Sequence, residues 1–189
     1  SLSDISPFLP LALIAAEDQN FYSHFGVDFR GIARAILHNL TLLEPAQGAS
    51  TITQQLARST LLSREKTLQR KVRELILTLE LERQYSKHDI MEFYLNQIPW
   101  GGNSYGVGTA SQAYFEKPAS DLNLQESALL AAMIKAPTYY SPFGIHQDEL
   151  LSRKDFVLER MATLDLISKE DAKKAKMQEI VFANLRTSI

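Results

Sequence analysis

The stretch "IAAEDQNFYSHFGVD", Ile14 to Asp28, decides how this chain is read. It begins as a small apolar helix, sets Glu17 and Asp18 side by side, and then meets Phe21, Tyr22, His24 and Phe25 before a glycine. On a helix, Leu13, Ile14 and Phe21 neighbour Glu17 by three- and four-residue spacing. A carboxylate among apolar and aromatic groups is desolvated, which favours its neutral form and raises its pKa. A carboxylate tuned in this way can accept a proton at neutral pH, as a general base must. The competing account is an exposed acid pair at a helix end, with His24 a hydrogen-bonded structural histidine. The two acids alone do not separate these accounts.

Outward from that stretch, helical spacing dominates and alternating β-branched runs are few, so the chain is expected to be mostly α. Pro10 suits the first turn of a helix running to about Tyr22. Phe29, Ile32, Ala33, Ile36, Leu37 and Leu40 form a second apolar stripe, with Arg30, Arg34 and His38 on the other side. Ser50 or Thr51 is expected to cap a helix through about Leu62. Thr67 to about Gln84 reads as the longest helix, and Ser86 as the cap of "KHDIMEFYLN". "PWGGNSYGVG" is a glycine-rich turn. "GTASQAYF" and "LQESALLAAMIKA" are small-residue helices, and amphipathic helices follow at about 148–166 and 169–178.

The 189 residues suit one domain, or one domain with a minor lobe, and 45% hydrophobic content is enough for a real core. A net charge of −2 gives no global field for nucleic acid. The absence of cysteine excludes disulfides and thiolate metal sites. Apolar runs such as "ALLAAMI" fall well short of the roughly 18 residues a membrane span needs. The opening residues read as mid-domain sequence, so the chain is expected to be a piece of a longer protein.

Two further features carry chemistry. In "GASTITQQLARS", Ser50 or Thr51, Gln54 and Arg58 share a helical face, with Gln55 beside them. Amides, a hydroxyl and a guanidinium near a helix N-terminus suit an anion or a sugar. The alternative is a capped surface helix. In "REKTLQRKVRELILTLELER" and just before it, Arg58, Arg64, Lys66, Arg70, Lys71 and Arg73 stand against the single acid Glu65, a local surplus of five positive charges. Such a patch implies a polyanionic partner, phosphate above all. Lys66, Arg70 and Glu74 share a face, so Glu74 is expected to stay ionised among cations. The same stripe continues as Leu77 and Leu81, and the opposite stripe, Leu68, Val72, Leu75, Ile76 and Leu79, is apolar too. The helix is therefore expected to be buried along its second half, with its charged first half lining a cleft. A solvent face stitched by ion pairs is the alternative. Two carboxylates in different settings beside a basic patch point to sugar chemistry with a phosphate leaving group.

At this point the chain resembles a known family, the peptidoglycan glycosyltransferase domain of class A penicillin-binding proteins and monofunctional transglycosylases. The blocks "EDQNFYSHFGVD", "GASTITQQ", "RKVRE", "KHDIMEFYLN" and "NSYGVGTASQAYF" match in order and span nearly the whole chain. The resemblance implies a lysozyme-like, mostly α large lobe and a smaller membrane-facing jaw lobe at roughly 25–65, within one domain of residues 1–189. It implies polymerisation of lipid II into glycan strands, with release of undecaprenyl diphosphate. It places the enzyme at the extracytoplasmic face of the bacterial plasma membrane, often fused to a transpeptidase.

Carried over residue by residue, Glu17 matches the general base and Glu74 the second glutamate. Ser50, Thr51, Gln54 and Gln55 match donor-site positions, and Arg58, Lys66 and Arg70 sit where the family places cations near the diphosphate, flanked by Lys71 and Arg73. Asp18 is expected to support, and Phe21 and His24 to shape the pocket. Arg58 replaces a usual lysine, and a planar fork is not a compact ammonium. Ala49 replaces a common glycine, and Glu116 stands where "YFGK" is usual. No ligand cluster demands a metal and no cofactor is required, although a divalent cation, Mg or Mn, fits a diphosphate. The Phe29–Leu40 stripe is expected to be core or to dip into the bilayer with Arg30 and Arg34 on headgroups. Two rivals remain open: a lysozyme-like enzyme that cleaves glycan, as hydrolase or lytic transglycosylase, and a non-catalytic module that binds lipid-linked precursors.

Overall fold

The structure, a computed structural model, describes residues 1–33, 50–61, 67–102 and 104–183. Its helices are α1 (Phe8–Glu17), α2 (Ile52–Leu61), α3 (Leu68–Gln84), α4 (Lys87–Gln97), α5 (Val107–Phe115), α6 (Leu124–Met133), α7 (Gln147–Thr163) and α8 (Lys169–Met177). The only β pairing among the described residues is an isolated bridge between Pro99 and Tyr105. The mostly α expectation is met. The chain divides into two compact units: Ser1–Ala16 with Ile98–Ile189, and Glu17–Gln97.

The first unit is built around α6. A capping box starts this helix: Asn123 Oδ1 accepts from the Glu126 N–H at 3.0 Å, and the Glu126 carboxylate accepts from the Asn123 N–H at 2.9 Å. Every residue from Gln125 to Met133 is buried. Ala128, Ala131 and Ala132 allow neighbours to approach closely, while Leu129, Leu130 and Met133 fill the space around them. Each such large apolar side chain, once buried, contributes roughly 1.5–3 kcal/mol. α7 packs on α6 and also meets α8. Two arginines of α7 tie distant carbonyls to it: Arg153 Nε donates to Ala132 O at 3.0 Å and Arg160 Nε to Ala15 O at 2.8 Å.

In the second unit, α2 packs against both α3 and α4. Thr67 caps α3 through its side chain, and Ser86 caps α4 in a reciprocal pair with Asp89. The expected burial of α3 on both sides along its second half is overturned on one of them. Leu68, Val72, Leu75, Ile76 and Leu79 are exposed, whereas Glu74, Thr78 and Glu82 are buried. The reason is that the inward face has polar partners waiting for it. Thr53 of α2 donates to Glu82 Oε1 at 2.5 Å, and Lys87 reaches the same oxygen at 2.7 Å. Thr78 returns its hydroxyl to the Glu74 carbonyl. Satisfied polar groups can be buried without a large penalty, which frees the apolar ridge to face outward.

α1 also stops sooner than expected, at Glu17 rather than near Tyr22. The chain turns there: the Phe21 N–H bonds the Asp18 carbonyl at 3.0 Å, and the Asp18 side chain is drawn to the start of α2. The predicted helix Phe29–Leu40 is helical over 29–33, after Asp28, which accepts from the Gly31 N–H at 2.8 Å. The rest of that stripe, with Arg34, Ile36, His38 and Leu40, lies outside the described residues, as do residues 34–49 and 62–65 of the expected jaw and Lys66.

Candidate active site

Glu17 closes α1 and meets α2 at once. Its Oε2 accepts from Gln55 Nε2 at 2.9 Å, and the same nitrogen lies 3.4 Å from the Ser50 carbonyl. Gln55 Oε1 in turn accepts from the Tyr94 hydroxyl at 2.8 Å. Tyr94 comes from α4 and is fully buried. Burial first, and then the Glu17 charge, push its hydroxyl well above the usual tyrosine range, so it stays protonated and donates.

Asp18 takes a different set of partners. It is buried, its Oδ1 and Oδ2 lie 2.9 and 3.0 Å from His24 Nε2, and Oδ2 accepts from the Ile52 N–H at 3.0 Å. A carboxylate at that position satisfies an orphan donor of α2 and complements its dipole. Asp18 therefore ties the turn after Glu17 to the start of α2. Thr51 and Gln54 complete the start of that helix. Thr51 Oγ1 donates to the Gly26 carbonyl at 2.6 Å and accepts from the Gln54 N–H at 3.2 Å, while Gln54 Oε1 accepts from the Thr51 N–H at 3.1 Å. This is a capping box with both side chains buried. Gly26 adopts φ +80°, and a Cβ there would stand 2.7 Å from Thr78 Cγ2, so the turn after His24 can rest on α3 only with glycine.

Glu74 is the second buried carboxylate, with a side chain of 0% exposure. Arg70 Nη1 lies 2.7 Å from Oε2, Lys71 Nζ 2.5 Å from Oε1, and Arg58 Nη1 3.9 Å from Oε1. The cluster carries three cations on one anion. Arg58 follows Gln55 by three residues on α2, so the contact to Glu17 and the contact to Glu74 adjoin on one helix. Arg58 also lowers the pKa of the Tyr94 hydroxyl, against the larger effects of burial and Glu17.

The expected site residues thus divide. Glu17, Gln55, Arg58, Arg70, Lys71 and Glu74 gather along α2 and α3. Asp18, His24, Thr51 and Gln54 build the scaffold beneath them, and Ser50 contributes its carbonyl. Phe21 is fully buried with Lys87 Nζ 4.5 Å above its ring, so it supports from behind. Arg73 is exposed on α3, outside the cation cluster on Glu74. Sequence reasoning quoted "KHDIMEFYLN" but did not single out Tyr94. The available signal was a tyrosine among Ile90, Met91 and Leu95, whose hydroxyl must find a partner once buried.

The family model described as Transglycosylase matches residues 1–162. Penicillin-binding protein 1A of Aquifex aeolicus (strain VF5) is 45% identical over 175 residues, which is 93% of this chain and 24% of that protein. Penicillin-binding protein 1F of Bacillus subtilis (strain 168) is 41% identical over 172 residues, 91% of this chain and 24% of that protein. The crystal structure of penicillin-binding protein 1A from Haemophilus influenzae aligns with 70% of this chain and 16% of that chain, at 31% identity and a TM-score of 0.46. The chain thus spans about a quarter of the length of the curated relatives it matches.

Proposed function

Because the chain belongs to the transglycosylase family, we propose that it polymerises lipid II into β-1,4-linked glycan strands with undecaprenyl diphosphate as the leaving group. It is a peptidoglycan glycosyltransferase domain, and its helices agree with the mostly α, lysozyme-like class expected of one. The observation that carries the reading is the pairing of Glu17, held by Gln55, with Arg58 one turn further along the same helix, where it joins Arg70 and Lys71 of α3 around Glu74.

In the proposed reaction, Glu17 takes the proton of the acceptor's sugar 4-hydroxyl. That oxygen attacks the donor's anomeric carbon, the bond to the α-linked diphosphate breaks, and its electron pair leaves with the diphosphate. The configuration inverts to β. Charge grows on the leaving group as the bond breaks, so Arg58, Arg70 and Lys66 help the transition state more than the bound donor. Glu74 is spoken for by its cations and serves to orient them. Gln55 fixes the Glu17 carboxylate, and Asp18 anchors the start of α2. Among the described residues no group of three or more His, Cys, Asp or Glu could hold a metal, and the Glu74 oxygens already face cations. A divalent cation, Mg or Mn, would therefore arrive with the diphosphate, while the reaction as written uses the chain's own cations.

A lipid-linked substrate places the domain at the outer face of the plasma membrane, and the relatives' greater length supports a transpeptidase in the full protein. Among the described residues no helix is long and apolar enough to cross a membrane. We place membrane contact on the exposed ridge of α3 beside the exposed Lys71 and Arg73. The functional test is to supply lipid II and, separately, finished glycan. Glycan growth from the first supports the reading. Cleavage of the second without growth from the first would replace it with the lysozyme-like alternative.

A further inference from the structure

We propose that Tyr94 is a positioning residue for the base, acting through the Gln55 amide; the inference rests on the assignment of Glu17 as that base. An ionised carboxylate only accepts hydrogen bonds, so Gln55 must turn its NH2 toward Glu17. Its oxygen then faces α4 and needs a donor. Tyr94 provides one, at 2.8 Å, from a side chain with 0% exposure. An amide turned the other way would set its oxygen against the carboxylate. The Tyr94 hydroxyl, kept protonated by burial and by the charge of Glu17, thus holds the amide in the productive orientation from behind.

The consequence falls on proton affinity. A fixed N–H at 2.9 Å stabilises the ionised form of Glu17. Other charges face the same region: Asp18 with His24 from the turn after α1, Arg58 from α2, and Glu74 with Arg70 and Lys71 from α3. They set a baseline that every variant at Tyr94 shares. Removing the hydroxyl loosens the amide, weakens the bond to the charged form, and moves the base's midpoint to higher pH.

The test follows the Glu17 carboxyl by NMR with carbon-13-labelled glutamate in the unmodified chain, Tyr94→Phe, Gln55→Met and the double variant. Tyr94→Phe is expected to raise the Glu17 midpoint by about one pH unit, a tenfold change in its ionisation constant. Gln55→Met should raise it at least as much, and the double variant no further than Gln55→Met alone, because Tyr94 acts through the amide. In polymerisation by Tyr94→Phe, the acid limb of the kcat profile should move with the midpoint while the donor KM holds. A purely structural role would scale kcat at every pH and leave the limb in place. An unchanged Glu17 midpoint in folded Tyr94→Phe, or additive shifts in the double variant, overturns the proposal. Should Tyr94→Phe fail to fold, an unshifted midpoint in Gln55→Met overturns it instead. A chain that never polymerises lipid II, yet shows the shifts, loses the proposed reaction and keeps the relay.

Discussion

Arg58 and Arg70 approach the same buried carboxylate and hold it differently. Arg70 Nη1 is 2.7 Å from Glu74 Oε2, whereas Arg58 Nη1 is 3.9 Å from Oε1, beyond hydrogen-bond reach. Arg70→Ala should therefore cost about 1.5–3 kcal/mol of stability, because it withdraws a charge-assisted bond from a buried anion. A denaturant titration would show this as a lower midpoint with an unchanged slope. Arg58→Ala should cost no more than about 1 kcal/mol, since the pair is half exposed and loosely matched. It should nevertheless lose most polymerisation, and Arg58→Lys should keep most of it. Wild-type rates in Arg58→Ala would remove that guanidinium from the leaving-group site. At this scale the acids and cations were legible because their types and spacing are written in the chain. The roles of Thr51 and Gln54 in capping were less so, because a polar side chain on a helix face can turn either to a ligand or to its own backbone.

α3 shows where periodicity stops informing. Its sequence has an apolar stripe and a polar one, and the usual expectation buries the first. The structure buries the second, because Thr53, Lys87 and Gly26 supply partners and space that lie elsewhere in the chain. Val72→Asp and Ile76→Asp should consequently leave stability within about 0.5 kcal/mol, as exposed substitutions do. They should also weaken co-sedimentation with anionic liposomes. Unfolding of either variant would show that the ridge is covered, and undiminished liposome binding would move membrane contact off α3. The end of α5 offers a second test. Glu116 sits there at φ 55°, in the left-handed conformation that helix ends reserve for glycine. The family's usual glycine thus has a backbone explanation, and Glu116 is expected to be strained. Glu116→Gly relieves roughly 1–2 kcal/mol of that strain and returns about 0.5–1 kcal/mol in unfolded-state entropy. A modestly higher melting temperature with unchanged polymerisation is the expected outcome.

Across the whole molecule, the described part of the proposed chemistry lies in the unit Glu17–Gln97, with the other unit built on the buried α6. The order of motifs made that grouping readable before any coordinates, since the glutamates, the amides and the cations all fall in the first half of the chain. Tyr94 escaped notice because its importance lies in a hydrogen bond to a residue 39 positions away, which no local pattern encodes. The central claim is that Glu17 removes the acceptor's proton during strand synthesis. The most direct test is the rate of polymerisation of labelled lipid II by this chain in detergent, beside Glu17→Gln of the same fold and donor affinity. The account predicts growing glycan from the unmodified chain and a rate about 10²–10⁴-fold lower in the variant. Comparable rates in the two would contradict it.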